Sequence, residues 1–382
     1  MNKPKIRFKG FEGEWKERKI GDALSINSGR DYKHLEEGDI PVYGTGGYML
    51  SVNERISDCD AIGIGRKGTI DKPQYLRAPF WTVDTLFFLI AKVGIDLDFA
   101  YNLSQVIGWR KYDESTGVPS LSKNNIEKIP ISLPSLPEQR ALASYFTALD
   151  AHIAASTSRL SSLKQIKAAS LLNMFPQKGE TVPRVRFKGF QGEWKEVKLS
   201  SIAIFSKGQG YSKSDLRENG HPIILYGRMY TKYQFAINEV DTFSNLKGAY
   251  VLSEGNEIIM PASGETSEDI ACASAVLAKG IILGGDLNIV RFDLKKYSTP
   301  FLALTITYSK THYDLSKCAQ GKSVVHLHNE AISKTVVSIP SLPEQRAIAS
   351  YFTALDAQIT LHRERLEKLK QIKAACLEKM FA

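Results

Sequence analysis

The sequence contains few cysteines and no long apolar run. Its 382 residues include only four cysteines, scattered without CxxC or Cys/His spacing at Cys59, Cys272, Cys318 and Cys376. Scattered thiols are typical of a reduced protein and argue against a disulfide scaffold or a cysteine-based zinc site. The most apolar run, Leu86–Ala91, is too short to span a bilayer, and the opening MNKPKIRFKG is too polar for a signal peptide. The sequence therefore predicts a soluble, cytoplasmic protein.

Patterns that carry catalysis are also missing. GxSxG, HExxH, Walker A and DPPY do not occur, which removes familiar signatures of hydrolases, nucleotidases and amino-methyltransferases. Residues 63–68 satisfy GxGxxG, but two prolines follow and no helical period begins there, so a tight turn is favoured over a dinucleotide site. The seven histidines, including His326 and His328, form no ligand set. We predict no metal, no cofactor and no enzymatic activity in this chain.

Positive charge is present but not concentrated where a binding surface would need it. The formal net charge is +9. Segment 20–130 has 12 basic against 15 acidic residues, and segment 199–337 has 14 against 13. Phosphate contact usually requires clustered Lys and Arg. Charge alone therefore supports nucleic-acid binding only weakly.

One long stretch is written twice, at Ser135–Phe175 and Ser341–Phe381, with a constant offset of 206 residues. Each copy predicts a helix of about 38 residues, about 57 Å long. The SLPE start of each copy has the spacing of a capping box with a first-turn proline. Alternating four- and three-residue steps mark a coiled-coil seam with one polar position per copy. The first seam has residues 142, 146, 149, 153, 156, 160 and 163, and the second has the same positions plus 206.

A second repeat precedes each long helix. IRFKGFEGEWKE at 6–17 returns as VRFKGFQGEWKE at 185–196, with an offset of 179 rather than 206. The segments between the short motif and the helix therefore differ by 27 residues, and they show no convincing similarity. We call the repeated parts the frame and the unlike segments, 20–130 and 199–337, the inserts. The predicted divisions are 1–133 (first domain), 134–176 (first helix), 177–339 (second domain) and 340–382 (second helix).

Both inserts predict an α/β fold. In the first, strands are expected at Ile40–Tyr43, Ala61–Ile64 and Trp81–Ala91, and a helix near Asp96–Tyr112. In the second, strands are expected at Ile223–Tyr226, Glu257–Met260, Ile281–Leu283 and Asn288–Phe292, and a helix near Pro300–Ser309. The sequence leaves the strand order open. The overall fold class is α/β (α+β).

Connectivity predicts how the two long helices meet. The first helix leads from one insert to the other, and the second must return, so matching seams favour an antiparallel pair with a domain at each end. The duplicated frame then has an internal pseudo-twofold axis, like an isologous dimer. The C-terminal residues Lys379–Ala382 should end near the start of the chain, since the equivalent NMF of the first copy is soon followed by RFKGF.

Four stretches of the inserts are candidates for contact with DNA, and a plain surface strand or loop is the alternative for each. Arg reads guanine in the major groove, aromatic side chains pack on bases, and polar Gly-rich loops permit close approach. In the first insert the candidates are Tyr43, which precedes the GTGGY turn, Thr45 and Tyr48 within that turn, and Arg66 and Lys67 of the GRKG turn. In the second insert they are Tyr226, Arg228, Tyr230 and Lys232, and also Ser263 and Thr266 of a polar, Gly-containing loop at 261–266.

These features together resemble the specificity subunits of type I restriction–modification systems. The resemblance rests on the two SLPEQRAxASYFTALDA helix starts, the paired RFKGFxGEWKE motifs and the unlike inserts, and it covers essentially the whole chain. IPVYGTGG and IGIGRKGTI also look like first target-recognition domains of that family. Because inserts vary between members, no base-contacting residue is carried over.

The resemblance implies two target-recognition domains, each reading half of a bipartite, asymmetric DNA site. The long helices would set the gap and dock two modification subunits, which bind S-adenosylmethionine and methylate adenine; two restriction subunits can join. Exposed helix residues expected to dock partners are Gln139, Arg140, Gln345 and Arg346. Two other functions stay open at this point, a stand-alone DNA-binding regulator and a coiled-coil adaptor that contacts only protein.

Overall fold

The computed structural model describes residues 3–321 and 324–381. Its contacts group the chain into two compact units, which are described separately. The first unit is Met1–Arg159 with His362–Ala382, and the second is Leu160–Leu361. Each unit thus contains one insert, one copy of the short motif and parts of both long helices.

The first unit contains nine strands and the helices that follow them in its described residues. The strands are Lys16–Lys19 (β1), Leu24–Ser28 (β2), Glu37–Gly44 (β3), Gly47–Val52 (β4), Ala61–Gly65 (β5), Gln74–Leu76 (β6), Trp81–Thr82 (β7), Leu86–Ala91 (β8) and Pro130–Leu133 (β9). The helices are Ile20–Ala23 (α1), Leu97–Val106 (α2), Lys123–Lys128 (α3) and the start of Leu136–Asn173 (α4), with a 3₁₀ turn at Trp109–Tyr112.

The second unit repeats this plan with a longer insert. Its strands are Lys195–Lys198 (β10), Ala203–Lys207 (β11), Leu216–Arg217 (β12), His221–Ile224 (β13), Ala236–Ile237 (β14), Phe243–Ser244 (β15), Glu257–Pro261 (β16), Ser263–Gly264 (β17), Ser274–Val276 (β18), Ile282–Leu283 (β19), Leu287–Phe292 (β20), Val325–His326 (β21) and Val336–Ile339 (β22). Its helices are Arg228–Thr231 (α5), Ser267–Ile270 (α6), Thr299–Tyr308 (α7), Lys310–Cys318 (α8), Asn329–Lys334 (α9) and Leu342–Met380 (α10), with 3₁₀ turns at Leu199–Ser201 and Lys213–Asp215.

The predicted strands and helices are confirmed, with one break. The expected strand Trp81–Ala91 is two strands, β7 and β8, which belong to different sheets and are joined by a turn at 83–85. The expected helix near Asp96–Tyr112 is α2 followed by the 3₁₀ turn. The helix expected near Pro300–Ser309 is α7.

The two inserts share one sheet order although their sequences do not resemble each other. The central sheet of the first insert runs β2-β8-β5-β6, and that of the second runs β11-β20-β16-β18-β14. In both, the first four strands pair antiparallel. Each insert also pairs one strand of its second sheet in parallel, β3 with β7 and β13 with β19. The extra strand β14 accompanies the longer second insert.

A two-stranded ribbon closes each insert at its base. β1 pairs antiparallel with β9, so that Lys19 lies opposite Pro130, and the Ile20 N–H donates to the Ile129 carbonyl at 2.9 Å. In the second unit, β10 pairs with β22 and the Leu199 N–H donates to the Thr335 carbonyl at 2.9 Å. Each insert therefore leaves the frame and returns to it at one point.

The short motif binds the start of the long helix through a buried ion pair. The Arg7 guanidinium donates from Nε and Nη2 to the two Glu138 oxygens at 2.6 and 2.7 Å, and Glu138 is only 2% exposed. Arg186 and Glu344 repeat both bonds at the same distances. These contacts occupy the glutamates that the SLPE spacing assigned to a capping box, and that prediction is wrong for both. The arginines also donate to backbone carbonyls of their own motifs.

Gln139 and Gln345 are buried, so the prediction that they are exposed docking residues is wrong. Gln139 accepts from the Asp96 N–H at 3.0 Å and donates to the Pro134 carbonyl at 3.1 Å. Gln345 makes the same two bonds, with the Ser298 N–H and the Pro340 carbonyl, each at 3.0 Å. The glutamines thus attach each insert to its long helix. An i, i+3/i+4 apolar seam does not reveal such buried polar positions. Arg140 and Arg346 are exposed, as expected.

Within each unit the long helices pair antiparallel. In the first unit Tyr145 contacts Cys376 at 3.4 Å, and Lys373 pairs with Asp150 at 2.6 Å. In the second unit Tyr351 contacts Ser170 at 2.9 Å, and Lys167 pairs with Asp356 at 2.5 Å. All seam positions are buried or half-buried, and Ser156 is among the buried ones.

The chain ends meet inside the first unit as predicted, apart from Ala382, which lies outside the described residues. The Ile6 N–H donates to the Lys379 carbonyl at 2.9 Å, and Phe381 packs on Trp15 and Phe146. Phe175 occupies the same position in the second unit, against Trp194 and Phe352. No helix in the described residues is long and apolar enough to cross a membrane.

Candidate nucleic-acid interface

The GTGGY residues of the first insert form the turn between β3 and β4. Tyr48 is 62% exposed, and its ring meets that of half-buried Tyr43 edge-on at 6.5 Å. Gln74 at the start of β6 donates its side-chain amide to the Gly44 and Thr45 carbonyls at 2.8 and 3.2 Å. Sequence reasoning missed Gln74, because a lone glutamine carries no pattern. Its contacts hold the turn against the edge of the central sheet.

The GRKG residues form a tight turn after β5, as predicted, and no helix begins there. A Cβ at Gly65 would lie 2.0 Å from the Thr69 carbonyl oxygen, so this turn requires glycine. The turn pairs with residues 119–121 through the Gly68 N–H to the Pro119 carbonyl and the Leu121 N–H to the Arg66 carbonyl. Arg66 and Lys67 are both exposed, and the Arg66 guanidinium lies 5.9 Å from the Phe87 ring. The turn therefore presents two cations on a short ribbon.

The second insert builds the same ribbon from different residues. The Leu327 N–H donates to the Ala262 carbonyl, as Leu121 does to Arg66, and β17 pairs with β21. Ser263 then occupies the position of Lys67, and it shares a hydrogen bond of 3.2 Å with His326 Nδ1. At the positions equivalent to Arg66 and Lys67, the second insert therefore has the uncharged residues Ala262 and Ser263.

Three candidates of the second insert lie together in an open cleft of about 800 Å³, lined by Tyr226, Tyr230 and Ser263. Tyr230 donates its hydroxyl to the Ser263 carbonyl at 2.8 Å, and burial raises the pKa of that phenol. The cleft also contains carboxylates, which are Glu265, Glu268 and Asp269. The carboxylates and tyrosines make this surface rich in hydrogen-bond acceptors and unattractive to phosphate.

Arg228 does not present a free guanidinium, although its contact with DNA stays a prediction. Its side chain is 7% exposed and pairs with Asp241 at 2.5 Å and with Gln234 at 3.1 Å. Lys232 pairs with the other oxygen of the same aspartate at 2.5 Å. Hydrogen bonds from Lys232 and then Arg228 hold the pKa of Asp241 well below its usual value. The YGRMYTKY run gave no sign of this aspartate, which lies outside it in sequence.

Tyr226, Arg228 and Lys232 also line a second cleft, of about 620 Å³, in the same unit. Thr266 has a local structural role. Its hydroxyl accepts from the Asp269 N–H at 3.0 Å and donates to the Asp269 carboxylate at 2.7 Å, which caps α6. Contact of these candidates with DNA stays a prediction. Among the described residues no group of three or more His, Cys, Asp and Glu is placed to hold a metal ion.

The fold and these surfaces define a class of protein. Two α/β inserts of one topology carry different residues at their tips, and each closes onto a copy of one frame. A family model described as the type I restriction modification DNA specificity domain matches residues 12–165 and again 191–371. The chain belongs to this family, with two copies of the domain. Its function is DNA sequence specificity, which is recognition and not catalysis.

Characterised relatives are distant in sequence. The specificity subunit of the type I restriction enzyme MjaVIII of Methanocaldococcus jannaschii is 21% identical over 292 residues, which cover 74% of this chain and 68% of the relative. The EcoprrI specificity subunit of Escherichia coli is 21% identical over 176 residues, 44% of this chain and 43% of its own. The EcoBI specificity subunit is 26% identical over 188 residues, 47% and 36% of the two chains.

Solved structures share the fold over the whole chain. The S subunit of a type I restriction–modification system from M. genitalium superposes with a TM-score of 0.67 at 16% identity, covering 100% of this chain and 99% of that one. A chain from a structural study of complex assembly and conformational transition in a type I system gives 0.50 at 16% identity, covering 96% and 97%. At this identity the likeness establishes the fold alone.

Proposed function

We propose that each insert reads one half of a two-part DNA site. One observation carries the proposal: a duplicated frame closes, in the same way, onto two inserts with one sheet order and different tip residues. The first insert presents Arg66 and Lys67, whereas the equivalent ribbon of the second has Ala262 and Ser263. Guanidinium and ammonium groups donate to guanine O6 and N7, whereas carboxylates accept from exocyclic amino groups. Inserts with such different chemistry fit an asymmetric site.

The frame supplies the rest of the proposed role. Its two copies hold one modification subunit each, and those subunits bind S-adenosylmethionine and methylate adenine within the two half-sites. The target base must leave the duplex for this reaction, and flipping it belongs to the partners' pockets. The continuous helix α4 sets the gap between half-sites through its length. Restriction subunits join the same assembly when DNA is to be cut.

Ion pairing within the chain supports weak DNA binding by the isolated subunit. Lys232 and Arg228 are paired with Asp241, and Lys247 with Asp215. Cations already paired inside the protein contribute less to phosphate neutralisation. The isolated chain should therefore bind its site much more weakly than the complex with modification subunits. Equal affinity of the two forms at one salt concentration would contradict this proposal.

The experiment is a genome-wide map of methylated adenine with and without this gene. We expect one gapped, two-part motif to lose methylation when the gene is deleted. Replacing residues 20–129, the segment enclosed by the β1–β9 ribbon, with the insert of another specificity subunit should then change one half-site only. A change in both half-sites would contradict the model of two independent readers. An unchanged map would favour the regulator, if the pure chain binds DNA tightly alone, or the adaptor, if it binds only protein.

A further inference from the structure

Four segments of each insert converge at one end of its strands. In the first insert they are the loop after β2, the turn after β3, the tight turn after β5 and the turn between β7 and β8. The second insert has the equivalent segments after β11, after β13, after β16 and between β19 and β20. We call this end of each insert the convergent end. The candidates Thr45, Arg66 and Lys67 lie there, as do Tyr226 and Ser263.

The same backbone hydrogen bonds hold the convergent end together in both inserts. Each bond runs from the N–H of one residue to the carbonyl of another. In the first insert three such bonds join the segments, and they are Gly29 to Leu86 (3.2 Å), Arg66 to Thr85 (2.7 Å) and Val83 to Tyr43 (3.1 Å). The second insert has the same three bonds, which are Gly208 to Leu287 (2.9 Å), Ala262 to Asp286 (2.8 Å) and Gly284 to Ile224 (3.0 Å). The two convergent ends therefore share their backbone arrangement although most of their side chains differ.

One position of the convergent end combines a fixed backbone with an exposed side chain. In the first insert this residue is Arg30, whose N–H donates to the Thr82 carbonyl at 2.8 Å. In the second insert it is Gln209, whose N–H donates to the Leu283 carbonyl at 3.0 Å. Both side chains are exposed. The two inserts thus present an arginine and a glutamine from equivalent backbone positions.

The backbone around this position is held on both sides. The Arg30 carbonyl accepts from Trp81 Nε1 at 3.0 Å. The carbonyl of Gly210, which follows Gln209, accepts from the Gly285 N–H at 2.8 Å. The glycine before each residue lies so close to another segment that a Cβ there would be 2.0 or 1.9 Å from a backbone oxygen. A rigid backbone positions a side chain closely enough to discriminate between bases.

Arginine and glutamine are suited to reading different bases in the major groove. A guanidinium donates two hydrogen bonds to O6 and N7 of guanine, whereas a glutamine amide bonds with N6 and N7 of adenine. Unlike Arg228, which pairs with Asp241, Arg30 and Gln209 form no ion pair or side-chain hydrogen bond with any residue that the structure describes. Within that part of the chain, their polar groups are therefore available to a base.

We propose that Arg30 and Gln209 are specificity-determining residues. Arg30 reads the guanine of a G·C pair in one half-site, and Gln209 reads the adenine of an A·T pair in the other. This rests on the proposed function, in which each insert reads one half-site. The two halves of an asymmetric site have similar backbones and different bases, and the two convergent ends likewise share a backbone and differ in side chains. The equivalence of the two residues became visible only through their hydrogen bonds, because neither belongs to a base-reading sequence pattern.

The test exchanges the two side chains and determines which DNA sequence is then methylated. The full chain carrying Arg30→Gln or Gln209→Arg is expressed with the modification subunit in cells that lack this gene, and methylated adenine is mapped. Arg30→Gln should change one G·C position of one half-site to A·T, and Gln209→Arg should change one A·T position of the other half-site to G·C. Methylation of the wild-type motif should fall about tenfold or more in each variant.

Arg55→Gln and Asn219→Arg are the matched controls. Both residues are exposed and belong to the same two inserts. Arg55 follows the end of β4 and Asn219 precedes the start of β13, so both lie at the ends of these strands that point away from the convergent end. The controls remove or add an arginine as the test variants do, and they should leave the methylated motif unchanged.

Arg30→Ala and Gln209→Ala decide the outcome if an exchanged variant methylates no DNA. Each should relax the motif at one position only, a G·C pair for Arg30→Ala and an A·T pair for Gln209→Ala. The proposal is overturned if the variants keep the wild-type motif, if they lower methylation of every site equally, or if a control changes the motif in the same way. A wild-type chain that directs methylation to no two-part motif would refute the proposed function itself.

Discussion

In the two copies of the frame, Arg7 and Arg186 bind their glutamates through the same atoms at the same distances. The inserts agree in a different way. β5 and β16 are both fully buried strands inside their sheets, and they occupy equivalent places in the two sheet orders. Their sequences nevertheless differ, since β5 reads AIGIG and β16 reads EIIMP. The two inserts thus share strand order and burial but not sequence, whereas the two copies of the frame also share their residues.

The difference indicates how many constraints act on each part. An insert must fill a core and close onto its ribbon, and many apolar sequences of suitable volume satisfy that requirement. The frame must also join its short motif to its long helix through Arg7 and Glu138 and attach its insert through Gln139, and under our proposed function each copy must hold the same kind of partner. A residue with two such roles has few acceptable replacements. Changes that separate these constraints therefore test the comparison directly.

The largest loss of stability is expected from substitutions at Gly29 and Gly208, where the backbone of each insert lies very close to another segment of the same insert. A Cβ at Gly29 would lie 2.0 Å from the Val83 carbonyl oxygen, and one at Gly208 would lie 1.9 Å from the Gly284 oxygen. Gly29→Ala and Gly208→Ala should each lower the free energy of unfolding by about 3 kcal/mol or more, since backbone must move. Denaturant titration measures this, with Trp194 as the only tryptophan of the second unit.

Gly46→Ala and Gly227→Ala are the controls, because a Cβ at either position meets nothing within 4 Å. Each should change the free energy of unfolding by about 0.5 kcal/mol or less. If Gly29→Ala and Gly208→Ala were equally harmless, the shared approach would not be a requirement of the fold.

The next effect comes from the buried ion pairs of the frame. Arg7→Met and Arg186→Met leave Glu138 and Glu344 buried without a guanidinium, which should cost about 2–3 kcal/mol because the arginines are partly exposed. The two units are expected to differ in the size of this loss, because the tryptophan indole is hydrogen-bonded in only one of them. Trp15 Nε1 donates to Glu138 at 3.3 Å, whereas Trp194 Nε1 is buried without a partner in the part of the chain that the structure describes.

Arg186→Met should therefore destabilise its unit by about 1 kcal/mol more than Arg7→Met does. Unfolding curves of both variants, compared with the wild type under one buffer, measure the difference. Equal losses would mean that the Trp15 bond contributes nothing. An Arg7→Lys variant should recover only part of the loss, because an ammonium cannot reproduce the two parallel bonds of a guanidinium.

The sequence predicted the frame well because its periodicity and duplication are local signals. The seam positions, the bounds of α4 and α10 and the meeting of the chain ends all follow from spacing. The common sheet order of the inserts did not, since pairing partners lie far apart in sequence and fully buried strands show no alternation. One signal went unused: the offset of 179 continues as far as Gly29 and Gly208, the two close-approach glycines.

The candidate site was predicted less well than the fold. Tyr226, Tyr230 and Ser263 do line one cleft, although Ser263 is far from the two tyrosines in sequence. The burial of Arg228 and its pairing with Asp241 were not predicted, because both depend on tertiary packing, which composition cannot reveal. Gln74 was missed because its role depends on a turn from another part of the insert. The role of a polar residue thus depends on the groups it contacts in the folded chain, and the local sequence does not give those contacts.

A smaller difference in stability is expected between variants of Arg228 and Lys232, the two cations that pair with Asp241. Arg228→Ala removes a buried side chain with two polar partners and should lower the free energy of unfolding by about 1–2 kcal/mol. Lys232→Ala removes a side chain that is 56% exposed and should stay within about 0.5 kcal/mol. Thermal unfolding of both variants measures this contrast. Loss of stability in Lys232→Ala alone would reverse our assignment of the buried residue.

The smallest effect tests whether the tips of the two inserts differ in the way they meet DNA. Lys67 and Ser263 occupy equivalent positions, but only the lysine is charged. If Lys67 contacts a phosphate, Lys67→Ala should reduce the slope of log affinity against log salt by about 1, uniformly across DNA sequences. Ser263→Ala should leave that slope unchanged. DNA titrations of the assembled complex at several salt concentrations measure both slopes, and equal slopes for the two variants would mean that this lysine is solvated rather than bound to the backbone.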